Sequence, residues 1–253
     1  MFKNTQKEVG TFMIVFTDIH SHVLHGVDDG SAEESIAIAT LKQMRQLGVE
    51  RLILTPHYCK RRGYETSVED IKTAYYSLCS ACEREGIDIS LYLGTEMEYS
   101  TDTVRYIREG RVLTLAGTKY ILTEFAPYAS SDTVLKGCKE IMQLGLIPIV
   151  AHIERYDSVI GNLEALHTLK EMGVKIQVNI RSVCAAGFKL RRFLKHVFSN
   201  EIADFIAGDV HSCPIDKREL EKCMKFVVKH SSTRYLKKLM SENANNLING
   251  GQI

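Results

Sequence analysis

No run in this chain approaches the roughly 18 apolar residues that a membrane-spanning helix needs, and Met1 to Gly10 is too polar for a secretory signal peptide. Membrane insertion is thereby set aside, and a cytoplasmic location is expected. An excess of one charge sign is also lacking. With 32 Lys and Arg against 31 Asp and Glu, the formal net charge is +1, which gives no general attraction to nucleic acid or anionic lipid. Cysteine is present without a framework: seven residues, an odd number at irregular spacings, suit reduced thiols better than disulfides. Cys79 and Cys82 form a C-x-x-C pair, but they fall inside a stretch with helical period and no second pair completes a zinc site. Internal repeats and low-complexity linkers are absent too. The 253 residues are therefore expected to form one domain, 1–253, with 1–12 as an extension and helices over 218–249.

What the chain does have is a recurrence. Six short apolar runs each end in a potential metal ligand. Phe12–Phe16 leads to Asp18, His20 and His22. Arg51–Pro56 leads to His57, Ile89–Thr95 to Glu96, and Lys119–Thr123 to Glu124. Ile147–Ala151 leads to His152, and Asp204–Gly208 to Asp209 and His211. Amphipathic segments with helical period alternate with these runs, at 32–47, 68–85, 102–109, 131–144, 163–172 and 190–198. Several stop at a glycine just before the next run, as at Gly48, Gly86, Gly110, Gly145 and Gly173, which fits left-handed C-terminal caps. About seven βα repeats, counting a strand over 174–180, predict a parallel α/β sheet closed into a barrel. The carboxyl ends of the strands then converge on one face and bring distant residues into one pocket.

A single histidine at a strand end is more often a hydrogen-bonded structural residue than a ligand. Six of about seven strand ends carrying His, Asp or Glu is a different matter, because so many imidazoles and carboxylates cannot be buried together without cations. His20-Ser-His22 is an H-x-H pair in extended chain, where residues two apart face the same side. Asp29, in Gly26-Val-Asp-Asp-Gly30, serves as turn chemistry or as a further ligand beside that pair. A histidine and carboxylate set without cysteine favours manganese, iron or zinc over magnesium. Two or three such ions generate hydroxide and clamp phosphoryl oxygens. Arg155, three residues after His152, offers a planar fork of donors for phosphate. The loop Lys60-Arg61-Arg62 is either a solvated basic turn or a receiver for an acidic or phosphorylated tail; Lys189, Arg191, Arg192 and Lys195 read as a charged helix face. Neither cluster carries the aromatic-basic pattern of a nucleic-acid binder.

These residues resemble the polymerase-and-histidinol-phosphatase (PHP) superfamily, and within it the CpsB-type metal-dependent protein-tyrosine phosphatases of Gram-positive capsule and exopolysaccharide loci. The resemblance runs through Asp18-Ile-His-Ser-His22, Gly26-Val-Asp-Asp-Gly30, Thr55-Pro-His57, Gly94-Thr-Glu96, Leu122-Thr-Glu-Phe125, Ala151-His-Ile-Glu-Arg155 and Gly208-Asp-Val-His211, nearly the whole chain. It implies a distorted (β/α)7 barrel with a helical C-terminal tail and a site for three ions, Mn2+ foremost, with Fe or Zn as alternatives. By that analogy His20, His22, Glu96 and Asp209 hold one ion. Glu96 bridges to a second held by Glu124 and His152, and Asp29, His57 and His211 hold the third. Arg155, His57 and Asp209 become the catalytic group. Relatives often carry another phosphate-contacting arginine after the last D-x-H element. Here that segment reads Ser212-Cys-Pro-Ile-Asp-Lys217-Arg218, so Lys217 or Arg218 is the candidate.

The implied reaction is in-line attack of hydroxide on phosphorus with Arg155 neutralising the equatorial oxygens. A tyrosine phenolate, with a conjugate acid of pKa near 10, leaves readily. No cysteine has an arginine six positions later, so a cysteine-nucleophile phosphate loop is ruled out. The implied partner is the tyrosine-rich tail of an autophosphorylating bacterial kinase. The rival readings are a PHP phosphatase of a small ester such as histidinol phosphate, an amidohydrolase-type barrel, and a noncatalytic module that retains the ligands.

Overall fold

The computed structural model describes residues 15–213 and 215–253. The expected extension at 1–12 and the start of the first apolar run lie outside the described residues. Among the described residues, nine parallel strands form two sheets: β1 (Phe16–Asp18), β2 (Val49–Leu54) and β4 (Ser90–Leu93) in one, β3 (His57–Tyr58), β5 (Glu96–Glu98), β6 (Tyr120–Glu124), β7 (Ile147–Val150), β8 (Lys175–Asn179) and β9 (Phe205–Ala207) in the other. They occupy seven barrel positions, because β2 and β3 are one strand interrupted at Thr55-Pro56, and β4 and β5 one strand interrupted at Gly94-Thr95. Proline lacks the ladder donor and forces the break, yet Pro56 still accepts from Glu96 N at 3.1 Å. Gly94 permits the second break, since a Cβ there would meet Leu115 Cδ2 at 2.6 Å. The ring closes where β1 runs on into Ser21, which bridges Val210 in parallel; His22 N donates to Val210 O at 2.7 Å and Asp209 N to His20 O at 3.0 Å.

Helices α1 (Glu34–Gln46), α2 (Val68–Glu85), α3 (Thr103–Arg108), α4 (Ser131–Met142), α5 (Asp157–Ile160), α6 (Leu163–Glu171), α7 (Ile180–Ala185) and α8 (Phe188–Ser199) connect the strands. The periodic segments of the sequence match six of them within a few residues at either end. The short α5 and α7 went unforeseen, as one or two turns carry too little period to register. All five glycine caps adopt positive φ, between 63° and 92°. Cys79 and Cys82 lie on α2, as their helical setting predicts.

The C-terminal helices α9 (Lys217–His230), α10 (Thr233–Lys237) and α11 (Asn243–Ile248) do more than cover an edge. The stretch from α10 onward plugs the amino end of the barrel. Tyr235 donates to Ala203 O at 2.6 Å, Asn243 to Asp204 O at 2.8 Å, and Asn245 Oδ1 accepts from Thr17 and Arg51 at 2.9 and 2.7 Å. Ala244 and Leu247 join Ile19, Ile53, Leu122, Ile149, Phe205 and Ala207 in the barrel interior. With one mouth filled, the opposite mouth, at the carboxyl ends, is left for the polar residues.

Candidate metal centre

All nine expected ligands meet at that carboxyl mouth, in three interlocking groups: His20, His22 and Asp209; His22, Asp29, His57 and His211; and His57, Glu96 and Glu124, with His152 Nε2 2.9 Å from Glu96 Oε1. Glu96 is the hub. It is fully buried, and its Oε2 makes no hydrogen bond, yet His20 Nε2 and His22 Nε2 stand 3.2 Å away and His57 Nδ1 3.0 Å away.

The hydrogen bonds behind the imidazoles fix what faces the centre. His20 Nδ1 donates to Gln177 Oε1 at 3.1 Å, His22 Nδ1 to Asp28 Oδ2 at 2.6 Å, and His211 Nδ1 to the Asp209 carbonyl at 3.2 Å. Each neutral ring then presents an Nε2 lone pair inward. His20 Nε2 and His22 Nε2 lie 3.2 Å apart, and the carboxylate oxygens around them also bring only lone pairs. Acceptors facing acceptors in a dry site need cations between them. The buried, unbonded Glu96 oxygen and the converging imidazole nitrogens therefore fit a cluster of metal ions of the kind that binds nitrogen and oxygen together.

Without cations only protons can balance these charges, and the pKa directions follow. Burial depresses the His57 imidazole, but Glu96 and Glu124 override it and lift it to about 9. His20 and His22 are raised in the same way by Glu96 and Asp209. Burial pushes Asp209 and Glu96 up, but the imidazoles win and hold both carboxyls below their ordinary range. Asp18, buried beneath the cluster, is raised to about 7 by desolvation, although Gly208 N donates to it at 3.0 Å.

Backbone geometry contributes as well. His152 (φ 33°) and Asp209 (φ 49°) are two of only four non-glycine residues at positive φ among the described residues. That strained region turns each side chain back over the barrel mouth. Gly30 returns against the H-x-H segment so tightly that a Cβ would stand 1.7 Å from His22 O.

Residues that sequence reasoning missed orient the cluster. Asp28, read only as part of a turn, accepts from His22 Nδ1 and from His57 N at 2.9 Å. Gln177 also accepts from His152 N at 2.9 Å, and its amide donates to Asn179, which donates to Asp209 Oδ2 at 2.8 Å. Their strand, β8, was the one without a ligand at its end. Gln177 and Asn179 alternate on one strand face, and that spacing was the available signal. In the basic loop, Arg61 is engaged by Glu98 at 2.6 Å, while Arg62 reaches Glu124 Oε1 at 2.5 Å and His57 Nδ1 at 3.1 Å. Arg155, with half its side chain exposed, donates to Asp209 Oδ2 at 2.6 Å. Lys217 and Arg218 lie exposed on the first turn of α9 and make no ion pair with the carboxylates of the cluster.

Fold and site together define a parallel barrel with a His and carboxylate metal centre at its carboxyl mouth, the architecture of a metal-dependent hydrolase. More narrowly, the chain belongs to the capsular polysaccharide synthesis CpsB/CapC family, whose sequence profile matches residues 16–249. It is 26% identical over 238 residues to the tyrosine-protein phosphatase CpsB of Streptococcus pneumoniae, covering 91% of this chain and 97% of that protein. It is also 26% identical over 236 residues to the tyrosine-protein phosphatase YwqE of Bacillus subtilis, covering 91% of each. Among solved structures, the metal-dependent tyrosine phosphatases YwqE and CpsB share the fold, with a TM-score of 0.83, 24% identity and coverage of 94% and 96%. A histidinol phosphate phosphatase of Lactococcus lactis is more distant, with a TM-score of 0.57, 13% identity and coverage of 85% and 94%.

Proposed function

We propose that this chain is a metal-dependent phosphomonoesterase that hydrolyses phosphotyrosine on a protein, the tail of a cognate bacterial tyrosine kinase, and so regulates capsular or extracellular polysaccharide synthesis from the cytoplasm. The observation that carries the reading is the overlap of three His and carboxylate groups with Arg155 at their edge. The similarity to CpsB and YwqE supports the choice of phosphotyrosine. No helix among the described residues is long and apolar enough to cross a membrane.

In this reading His20, His22, Glu96 and Asp209 hold one ion, Glu96, Glu124 and His152 a second, and Asp29, His57 and His211 a third, with Mn2+ the first choice. Bound there, the ions supply a hydroxide nucleophile at neutral pH and neutralise phosphoryl charge. The chain supplies the rest. Asp28 and Gln177 hold His22 and His20 in the tautomers that face inward. Arg155 exchanges part of its contact with Asp209 for an equatorial phosphate oxygen and steadies the charge that develops there. Lys217 or Arg218 would add a second contact from α9. The phenolate departs without an acid, its conjugate acid having a pKa near 10.

The test is steady-state hydrolysis of a phosphotyrosine peptide and of histidinol phosphate by protein with its metals counted by elemental analysis. The expected result is two or three ions per chain and a kcat/KM at least a hundredfold higher for the peptide. Preference for histidinol phosphate would move the chain to the small-ester reading, and a metal-loaded protein inert to both would mark a noncatalytic module.

A further inference from the structure

Outside the metal centre, a groove of about 370 Å³ opens beside it, lined by Arg155, Asp157, Ile160, Phe188, Lys189 and Leu190. Arg155 belongs to both places, since its guanidinium reaches Asp209 while its side chain forms one wall of the groove. Phe188 opens α8 and is 89% exposed; Tyr128, in the loop between β6 and α4, is 81% exposed. These are the two most exposed large hydrophobic side chains among the described residues, and both sit on segments that follow the carboxyl ends of barrel strands, on the same mouth as the metal cluster. An apolar ring held almost wholly in water gains nothing for the fold, and Phe188 is such a ring, lining a groove that shares Arg155 with the metal centre. Neither has a packing role to explain it: Phe188 lies outside every hydrophobic cluster, although its neighbour Leu190 joins the core.

We infer that this groove seats the peptide flanking the phosphotyrosine of the protein substrate, with an apolar side chain of that peptide stacked on Phe188 against Ile160 and Leu190. The inference rests on the phosphotyrosine reading above. The occupant follows from continuity. A phosphate dianion held by Arg155 places the chain attached to its aryl group over the groove that Arg155 borders, where Lys189 and Asp157 pair with each other at 2.8 Å and leave the apolar faces of Phe188, Ile160 and Leu190 for that chain. A small phosphomonoester carries no flanking peptide to lay against Phe188. Phe188 is thus a specificity-determining residue for peptides and has no part in the hydrolytic step.

The experiment compares the metal-loaded parent with Phe188→Ala on two substrates: a phosphotyrosine heptapeptide with leucine beside the phosphotyrosine, and p-nitrophenyl phosphate. Losing a stacked aromatic contact is expected to raise KM for the peptide about tenfold with kcat unchanged, and to leave both constants for p-nitrophenyl phosphate as in the parent. Fluorescence anisotropy with the non-hydrolysable difluoromethylphosphonate peptide should show the same tenfold loss of affinity. An unchanged peptide KM and affinity would overturn the groove assignment while leaving the phosphatase reading intact. Equal losses on both substrates would also overturn it, because Phe188 would then act on the phosphate site. A parent that hydrolyses neither substrate removes the phosphatase reading and the groove assignment with it.

Discussion

Gly30 is where a single methyl group should disable the metal centre without replacing any ligand side chain. Its added Cβ would stand 1.7 Å from His22 O and 2.8 Å from His22 Cβ, and no real contact is closer than about 3.0 Å, so the turn must retreat by more than an ångström. The turn carries Asp28 and Asp29. Its retreat stretches the 2.6 Å bond from His22 Nδ1 to Asp28 and the 2.9 Å bond from His57 N to the same oxygen. Hydrogen bonds to charged groups contribute about 1.5–3 kcal/mol each, so Gly30→Ala is expected to cost about 3 kcal/mol. For a chain of this size that lowers the melting temperature by roughly 6–12 °C. The freed His22 ring loses its enforced tautomer, and metal affinity should fall about 10- to 100-fold, as it does when partners behind a ligand are removed. Thermal unfolding and calorimetric Mn2+ titration measure the two effects. Gly187→Ala is the control, since a Cβ there meets nothing within 4 Å. A Gly30→Ala protein with parent-like melting temperature and Mn2+ affinity would refute the claim that this close approach sets the geometry of the centre.

Gln177→Leu removes the acceptor shared by His20 Nδ1 and His152 N and should weaken metal binding about 10- to 100-fold, read by competition with a fluorescent chelator; unchanged affinity would show that β8 plays no orienting role. Metal binding at pH 7 should release protons, because His57, lifted to about 9, is protonated in the metal-free chain. Calorimetry in two buffers of different ionisation enthalpy counts them, and a count of zero would refute a protonated His57 in the metal-free chain. The same raised pKa gives the metal-free chain stability that is complete below the unfolded value of about 6.5 and is lost as pH rises towards about 9. The metal-free melting temperature should accordingly fall across that window while that of the loaded protein does not. Leu247→Ala, in the plug at the barrel's amino end, opens a cavity in the interior and should destabilise by about 2–5 kcal/mol in urea unfolding, with KM for p-nitrophenyl phosphate unchanged.

The barrel and its candidate ligands were legible in the sequence because one physical regularity produced both. A buried parallel strand is apolar, so a polar residue at the end of an apolar run stands out: His57 and Glu96 follow the breaks after β2 and β4, Glu124 ends β6 and His152 follows β7. What orients them was harder to see. Gln177 and Asn179 lie within β8, where a buried polar residue looks like an ordinary interruption until its partners are known. Asp28 and Asp29 are neighbours in one turn; the resemblance singled out Asp29, which faces His57 and His211, but nothing in the sequence marked Asp28, which lies behind His22. Arg62 reads either as solvated charge or as part of a receiver for an acidic tail, and only the approach of Lys60–Arg62 to β6 turns it onto Glu124. Pairings between residues far apart in sequence have no local signal, so a chain can announce its ligands and still conceal what aims them.

The plug at the amino mouth supports the left-handed backbone of His152 and Asp209 at the carboxyl mouth. Positive φ at His152 and Asp209 costs about 1–3 kcal/mol each and persists only where the surroundings leave no alternative. Here the surroundings are the last turns of β7 and β9, held in register by ladders to β6 and β8 and filled from below by Ala244 and Leu247. His152 is further pinned through its backbone N to Gln177, and Asp209 through its carboxylate to Asn179 and Arg155. Cations between the carboxylates and imidazoles would complete that constraint by giving each inward lone pair a partner. It follows that metal loading should rigidify the 151–156 and 208–211 segments more than any other loop. Amide hydrogen exchange of the metal-free and Mn2+-loaded forms tests this, and equal exchange of both segments in the two forms would break the link between strain and metal.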